Sequence, residues 1–133
     1  MKGTLVATAQ GPKPIELVYP GDVIYTFDLR KGAPAVQKVV ETFKVQREEI
    51  LVLDFGDEEI RCTPPHRFYT GQWVPAKELK QGDRILSIEG QWKALRKIKR
   101  EGKSQPVFNL HVDKDHNYFI GQSALLVHNS KTP

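Results

Sequence analysis

An all-β fold is predicted by three features of the sequence: short apolar runs, turn residues recurring between them at close intervals, and no long stretch with helical periodicity. The runs Leu5-Val6-Ala7, Val23-Ile24-Tyr25, Ile50-Leu51-Val52-Leu53, Arg84-Ile85-Leu86 and Leu125-Leu126-Val127 have strand length and are bounded by Gly, Pro and Asp. Between them, Gly11-Pro12, Pro20-Gly21-Asp22, Phe55-Gly56-Asp57, Pro64-Pro65, Gly82-Asp83, Glu89-Gly90 and Gly121 are turn signals, because Gly reaches left-handed backbone angles and Pro presets one turn dihedral. Helical character is confined to single turns such as Ala76 to Leu79.

With 133 residues, the chain has the size of one domain. Hydrophobic residues make up 39% and charged residues 27%, and no run nears the roughly 20 apolar residues that span a bilayer, so a soluble protein without a membrane partner is expected. Met1-Lys2-Gly3-Thr4 does not open a secretory signal, which leaves the compartment unassigned. The lone Cys62 has no internal disulfide partner and reads as a buried thiol. The net charge of +4 includes one cluster, Lys93, Arg96, Lys97, Lys99, Arg100 and Lys103. With few aromatics interleaved and no nucleic-acid motif around it, the cluster reads as a solvated face beside Gly102, and no nucleic-acid partner is expected.

The chain also reads as duplicated. Glu16 to Ile24 can be laid over Glu78 to Leu86 without a gap, each copy carrying a Gly-Asp turn ahead of a strand. Each half ends in a histidine-bearing segment, Thr63-Pro64-Pro65-His66-Arg67-Phe68 in the first and Asp115-His116-Asn117-Tyr118-Phe119 in the second. Two such halves would pack about a pseudo-two-fold axis.

Val127-His128-Asn129-Ser130, behind an apolar strand, carries the most chemical information. The side-chain amide nitrogen of an asparagine can attack its own main-chain carbonyl, closing a succinimide and freeing the next residue as an amine, with no cofactor. The amide is a poor nucleophile, the carbonyl needs polarising and the leaving nitrogen needs a proton. Histidines supply both needs near neutral pH. The bland alternative for His-Asn-Ser is an exposed tail whose asparagine deamidates through attack by the Ser130 nitrogen.

Further blocks agree with the first reading: Val107-Phe108-Asn109-Leu110-His111-Val112, then His116-Asn117-Tyr118-Phe119, then Leu125 to Asn129. Together they resemble the C-terminal half of a Hint domain, the fold of inteins, bacterial intein-like domains and the Hedgehog processing domain. Gly3-Thr4-Leu5-Val6-Ala7-Thr8, Gly11, Ile15-Glu16 and Gly21-Asp22-Val23 resemble the family's opening block, and Thr63-x-x-His66-x-Phe68 its second.

The resemblance implies a flat, pseudo-symmetric horseshoe with residues 1–129 as the self-processing domain and 130–133 as downstream flank. It implies that His66, supported by the Thr63 hydroxyl, polarises the peptide bond ahead of the domain. At the other end Asn129 cyclises, His128 attends its carbonyl oxygen, His116 handles the proton, and the Ser130 hydroxyl can accept a transferred acyl chain. The expected partners are the chain's own flanking segments, acted on by a monomer; His111 is left as an ordinary strand residue. The family carries a Cys or Ser four residues before the glycine matched by Gly3, a position upstream of Met1, so N-terminal acyl transfer is expected to be blocked in the sequence as it stands. Cys62 does not replace that residue, and Asn109 stands where many members have Asp. Two other classes compete: a catalytically silent Hint-like linker in a larger, toxin-type protein, and a metal module using Cys62, His66, His116 and His128. Cys-x-x-x-His is a poor zinc spacing, so at these four residues inhibitory binding of a soft metal is the more reasonable form of the second.

Overall fold

The computed structural model describes residues 3–128; the expected cyclising Asn129 and the acceptor Ser130 lie outside the described residues. β1 (Leu5–Thr8) and β2 (Gly11–Pro14) form a hairpin whose closing pair is Thr8 and Gly11. The turn needs Gly11, whose φ of +105° L side chains rarely adopt, and the Thr8 hydroxyl secures it by donating to the Gly11 carbonyl at 2.5 Å. A single 3-10 turn, Ile15–Leu17, leads to β3 (Val23–Asp28) and β4 (Ala33–Arg47). Next come β5 (Ile50–Asp54), β6 (Glu59–Cys62), β7 (Arg67–Tyr69) and β8 (Trp73–Pro75). A second 3-10 turn, Ala76–Glu78, precedes β9 (Arg84–Leu86), β10 (Trp92–Ala94) and β11 (Lys97–Glu101). The chain finishes with β12 (Gln105–Val112), β13 (Asn117–Ile120) and β14 (Leu125–His128). All five runs expected as strands lie within strands, and the one-turn helix expected near Ala76 is there.

Nine strands share one sheet in the order β12-β4-β3-β1-β13-β14-β7-β8, with β2 added to β1; β11-β5-β6 and β10-β9 form smaller sheets. The hairpin β13–β14 is central. On one side Ile120 pairs with Val6 of β1, and on the other Val127 pairs with Phe68 of β7. Leu125 and Val127 join the main apolar core with Val6, Ile24, Phe68 and Ile85, whereas Phe119 and Leu126 face a second cluster with Leu86, Tyr25, Phe27, Tyr69 and Trp73. Both faces of the hairpin are thus covered, which explains why all four residues of β13 are buried.

The duplication is present, but in a different register. The gapless overlay of Glu16 on Glu78 puts Gly21 against Asp83, whereas the hydrogen bonds match Ile15 with Ala76, Val18 with Leu79 and Asp22 with Asp83. In the first copy Val18 N donates to Ile15 O, Asp22 N to Tyr19 O and Gly21 N to Val39 O. In the second Leu79 N donates to Ala76 O, Asp83 N to Lys80 O and Gly82 N to Leu95 O. Each aspartate also accepts the amide three residues before it, from Tyr19 and from Lys80, at 2.9 Å. The correction follows from burial: matching Ile15 with Ala76 and Val18 with Leu79 puts buried residues at both positions in both copies, with none above 4% exposure. Matching the glutamates instead sets buried Val18 against exposed Lys80 and exposed Leu17 against buried Leu79.

The longest strand, β4, has no counterpart among the expected runs. Its first part pairs with β3 and its second with β12, and of its fifteen residues only Val39 is buried. Part of the basic cluster is also engaged. The Lys93 ammonium lies 2.5 Å from Asp57 and 3.6 Å from Glu58 and also donates to Ser123, Arg100 pairs with Glu49, and the Arg96 guanidinium lies against Gly56. Glu58 in turn accepts the Gln122 and Ser123 amides at 2.7 and 3.3 Å, fastening the β13–β14 turn to the three-stranded sheet. Among the described residues no helix is long and apolar enough to cross a membrane.

Leu125 is fully buried where β14 meets the core. Leu125→Ala is expected to destabilise the domain by about 2–5 kcal/mol, read from the denaturant midpoint at unchanged slope, whereas Val36→Ala on the open face of β4 stays within about 0.5 kcal/mol.

Candidate functional site

Antiparallel pairing on both sides of β14 decides which residues meet at its end. His128 is opposite Asn117 of β13, and the Val127–Phe68 pair brings the start of β7 to the same end, where the Arg67 guanidinium reaches His128. His116 immediately precedes Asn117 and His66 immediately precedes Arg67. Three of the chain's four histidines therefore lie at or one residue beyond one end of three adjacent strands, a grouping that follows from strand register.

His66 closes a turn formed by Thr63-Pro64-Pro65-His66, its amide donating to the Thr63 carbonyl at 3.1 Å while its own carbonyl accepts from Ala76 at 2.8 Å. The bond that joins Thr63 to His66 here is thus a main-chain one. The ring lies edge-on to Phe68 with centroids 5.6 Å apart, and its Nε2 is buried without a hydrogen-bond partner among the described residues. Burial holds the imidazole down at about 4, with His128 and Arg67 pushing in the same direction, so His66 is neutral at ordinary pH. A cavity of about 20 Å³ lined by Thr4, Cys62, Thr63, His66 and Tyr118, among others, has room for roughly one water and brings the start of β1 beside His66. Burial also pushes the Cys62 thiol up to about 12, so it supplies no thiolate at neutral pH.

The backbone of His116 is strained: its φ is +56°, as is that of Lys114. Neighbours on both sides hold it. Asp115 accepts from the Thr26 hydroxyl at 2.6 Å, and buried Asn117 accepts from Phe27 N at 2.8 Å and donates to Phe27 O at 3.0 Å. The exposed His116 ring stacks on His111, with centroids 5.9 Å apart and planes 16° from parallel. His111 is therefore part of the surroundings of the site.

His128 Nδ1 lies 3.3 Å from the Arg67 guanidinium, and its ring meets Trp73 edge-on at 5.0 Å. Asn109 is buried; its Oδ1 accepts from the Tyr118 hydroxyl and the Leu110 amide, both at 2.9 Å, while its Nδ2 has no partner among the described residues. A carboxamide here cannot exchange protons as a carboxylate would. Among the described residues no three His, Cys, Asp or Glu side chains are grouped as a metal ion requires, so Cys62, His66, His116 and His128 do not form a metal-ligand set. Sequence reasoning missed Arg67, Trp73 and Asn117 as neighbours of the histidines. Arg67 and Asn117 fall inside the quoted blocks, but only pairing reveals what they contact.

Residues 5–130 match the pretoxin HINT domain. The chain belongs to this family. Among solved structures, a bacterial intein-like domain from Clostridium thermocellum superposes with a TM-score of 0.92 at 32% identity, covering 96% of each chain. The gp41-1 intein follows at a TM-score of 0.77 and 25% identity over 96% of this chain and 94% of its own. A DnaB intein from Synechocystis shares the fold, with a TM-score of 0.83 at 22% identity over 98% and 97%. No curated protein matches significantly. This HINT domain thus has the all-β architecture of inteins, with the two related halves described above.

Because folded His66 binds its proton only near pH 4 while the unfolded residue does so near 6.5, protonation favours the unfolded state in that window. The stability from neutral His66 is complete above pH 6.5 and falls as the pH drops towards 4. Denaturant midpoints at pH 7 and 4.5 should therefore fall less for His66→Gln than for the parent.

Proposed function

We propose that this HINT domain cleaves its own backbone after Asn129. The Asn129 side-chain nitrogen attacks the Asn129 carbonyl carbon, the bond to the Ser130 nitrogen breaks, and the proton lost by the amide is relayed to that departing nitrogen. The products are a C-terminal succinimide and a free Ser130 amine, so atoms balance without cofactor or metal. His128 donates to the carbonyl oxygen as charge builds on it, and His116 carries the proton. His66, with Thr63, serves the junction ahead of β1. With a nucleophile supplied upstream, the Ser130 hydroxyl is the acyl acceptor that turns cleavage into splicing.

The carrying observation is the convergence of His116, His128 and His66 on the strand end from which the chain runs on to Asn129. Neutral, buried His66 beside Thr4 also suits a group that acts at the start of the chain. The exposure of His116 favours a second reading, a silent linker module, and the same experiments separate the two.

Incubated intact, the chain should release Ser130-Lys131-Thr132-Pro133 and leave a product one water lighter than the hydrolysed form, seen by intact mass. Asn129→Ala should abolish release, and persistence in that variant would assign the cut to a different route.

His116→Ala and His128→Ala should each slow release on the order of 100-fold. Ordinary deamidation accelerates steadily with base because the Ser130 amide must lose its proton to attack. A rate that climbs into alkali and ignores both substitutions would make the domain a silent scaffold.

A further inference from the structure

We infer that Arg67 is a positioning residue that holds His128 in a single neutral tautomer, with the ring proton on Nε2. The guanidinium has only donors and keeps its charge throughout the physiological range. A contact of 3.3 Å between an Arg67 terminal nitrogen and His128 Nδ1 therefore makes Nδ1 the acceptor, and an acceptor nitrogen in neutral imidazole bears no proton. The remaining proton is on Nε2.

Two strands fix the arrangement. β7 brings Arg67 beside the end of β14 through the Val127–Phe68 pair, and β8, paired to β7 through Tyr69 and Trp73, sets the Trp73 ring against His128 at 84°. Trp73 limits where the imidazole can swing, and Arg67 decides which of its nitrogens is bare. The consequence bears on the cleavage proposed above, on which only its rate arm rests. A ring whose Nδ1 is occupied by a cation presents Nε2–H as a donor, the form needed beside a developing oxyanion. It is a poor general base while Arg67 is in place, so proton carriage passes to His116, whose Asp115–Asn117 tether is independent of Arg67. The two histidines thus divide the work according to their hydrogen-bond partners.

The test uses the full chain with Asn129→Ala, which keeps it intact, and reads the His128 ring nitrogens by nitrogen-15 NMR above pH 7. The expected spectrum is one neutral tautomer, Nδ1 bare and Nε2 protonated. Arg67→Ala should give a mixture of tautomers, and Arg67→Lys, which keeps a cationic donor, should restore the single form. With Asn129 present, Arg67→Ala should slow tetrapeptide release about tenfold at an unchanged denaturant midpoint, with much of the rate recovered in Arg67→Lys. A proton on Nδ1 in the neutral ring, or an Arg67→Ala spectrum identical to the parent, overturns the inference. A parent chain that releases nothing defeats the cleavage reading instead, and the ring spectrum still decides the tautomer.

Discussion

The pairing of the β13–β14 hairpin with β1 on one side and β7 on the other is the constraint on which the site depends. Main-chain ladders have little freedom to slip when both faces of a hairpin are buried, because a one-residue shift exchanges the two faces. With Phe119 and Leu126 committed to one cluster and Leu125 and Val127 to the other, only one register satisfies both. That register sets His128 opposite Asn117 and within reach of Arg67, so the grouping of the histidines is a by-product of packing.

Around this frame the polar groups divide sharply. Asn117 satisfies both main-chain groups of Phe27, and Glu58 takes two amides of the β13–β14 turn; these are structural bonds that tie neighbouring elements together. Three buried atoms, His66 Nε2, Asn109 Nδ2 and His111 Nδ1, have no hydrogen-bond partner among the described residues. Native interiors leave few such atoms; here two belong to histidines, with the Glu41 carboxylate 3.7 Å from His111 Nδ1, and the third to Asn109, which is bonded to Tyr118 of β13. His116 adds backbone strain just before β13, retained because Asp115 and Asn117 hold the segment from both sides.

Duplication accounts for how two distant parts of the chain come to serve one site. The hairpins β1–β2 and β7–β8 are equivalent elements, one beside β13 and one beside β14, each followed by a 3-10 turn and an aspartate-closed loop. In one copy the main-chain carbonyl that receives the first amide of the 3-10 turn belongs to Thr4, in the other to His66. The two copies have diverged at this point: one carries the start of the chain, the other an imidazole.

The sequence by itself determined the strand class, most turn positions and the existence of a repeat, and it named the residue types of the candidate site, because each is a local property. Apolar runs, Gly and Pro backbone preferences and the His-Asn-Ser order can all be read without knowing what lies opposite. β4 escaped because most of its length is exposed and its apolar residues do not form a compact run. The repeat was misregistered by one residue because matching letters, the two glutamates, said nothing about which side chains are buried. Only the tertiary structure decided the Arg67 contact on His128, the Trp73 wall, the stacking of His116 on His111 and the neutral state of His66. Each depends on strands far apart in sequence being held side by side, and on the desolvation that only their packing creates.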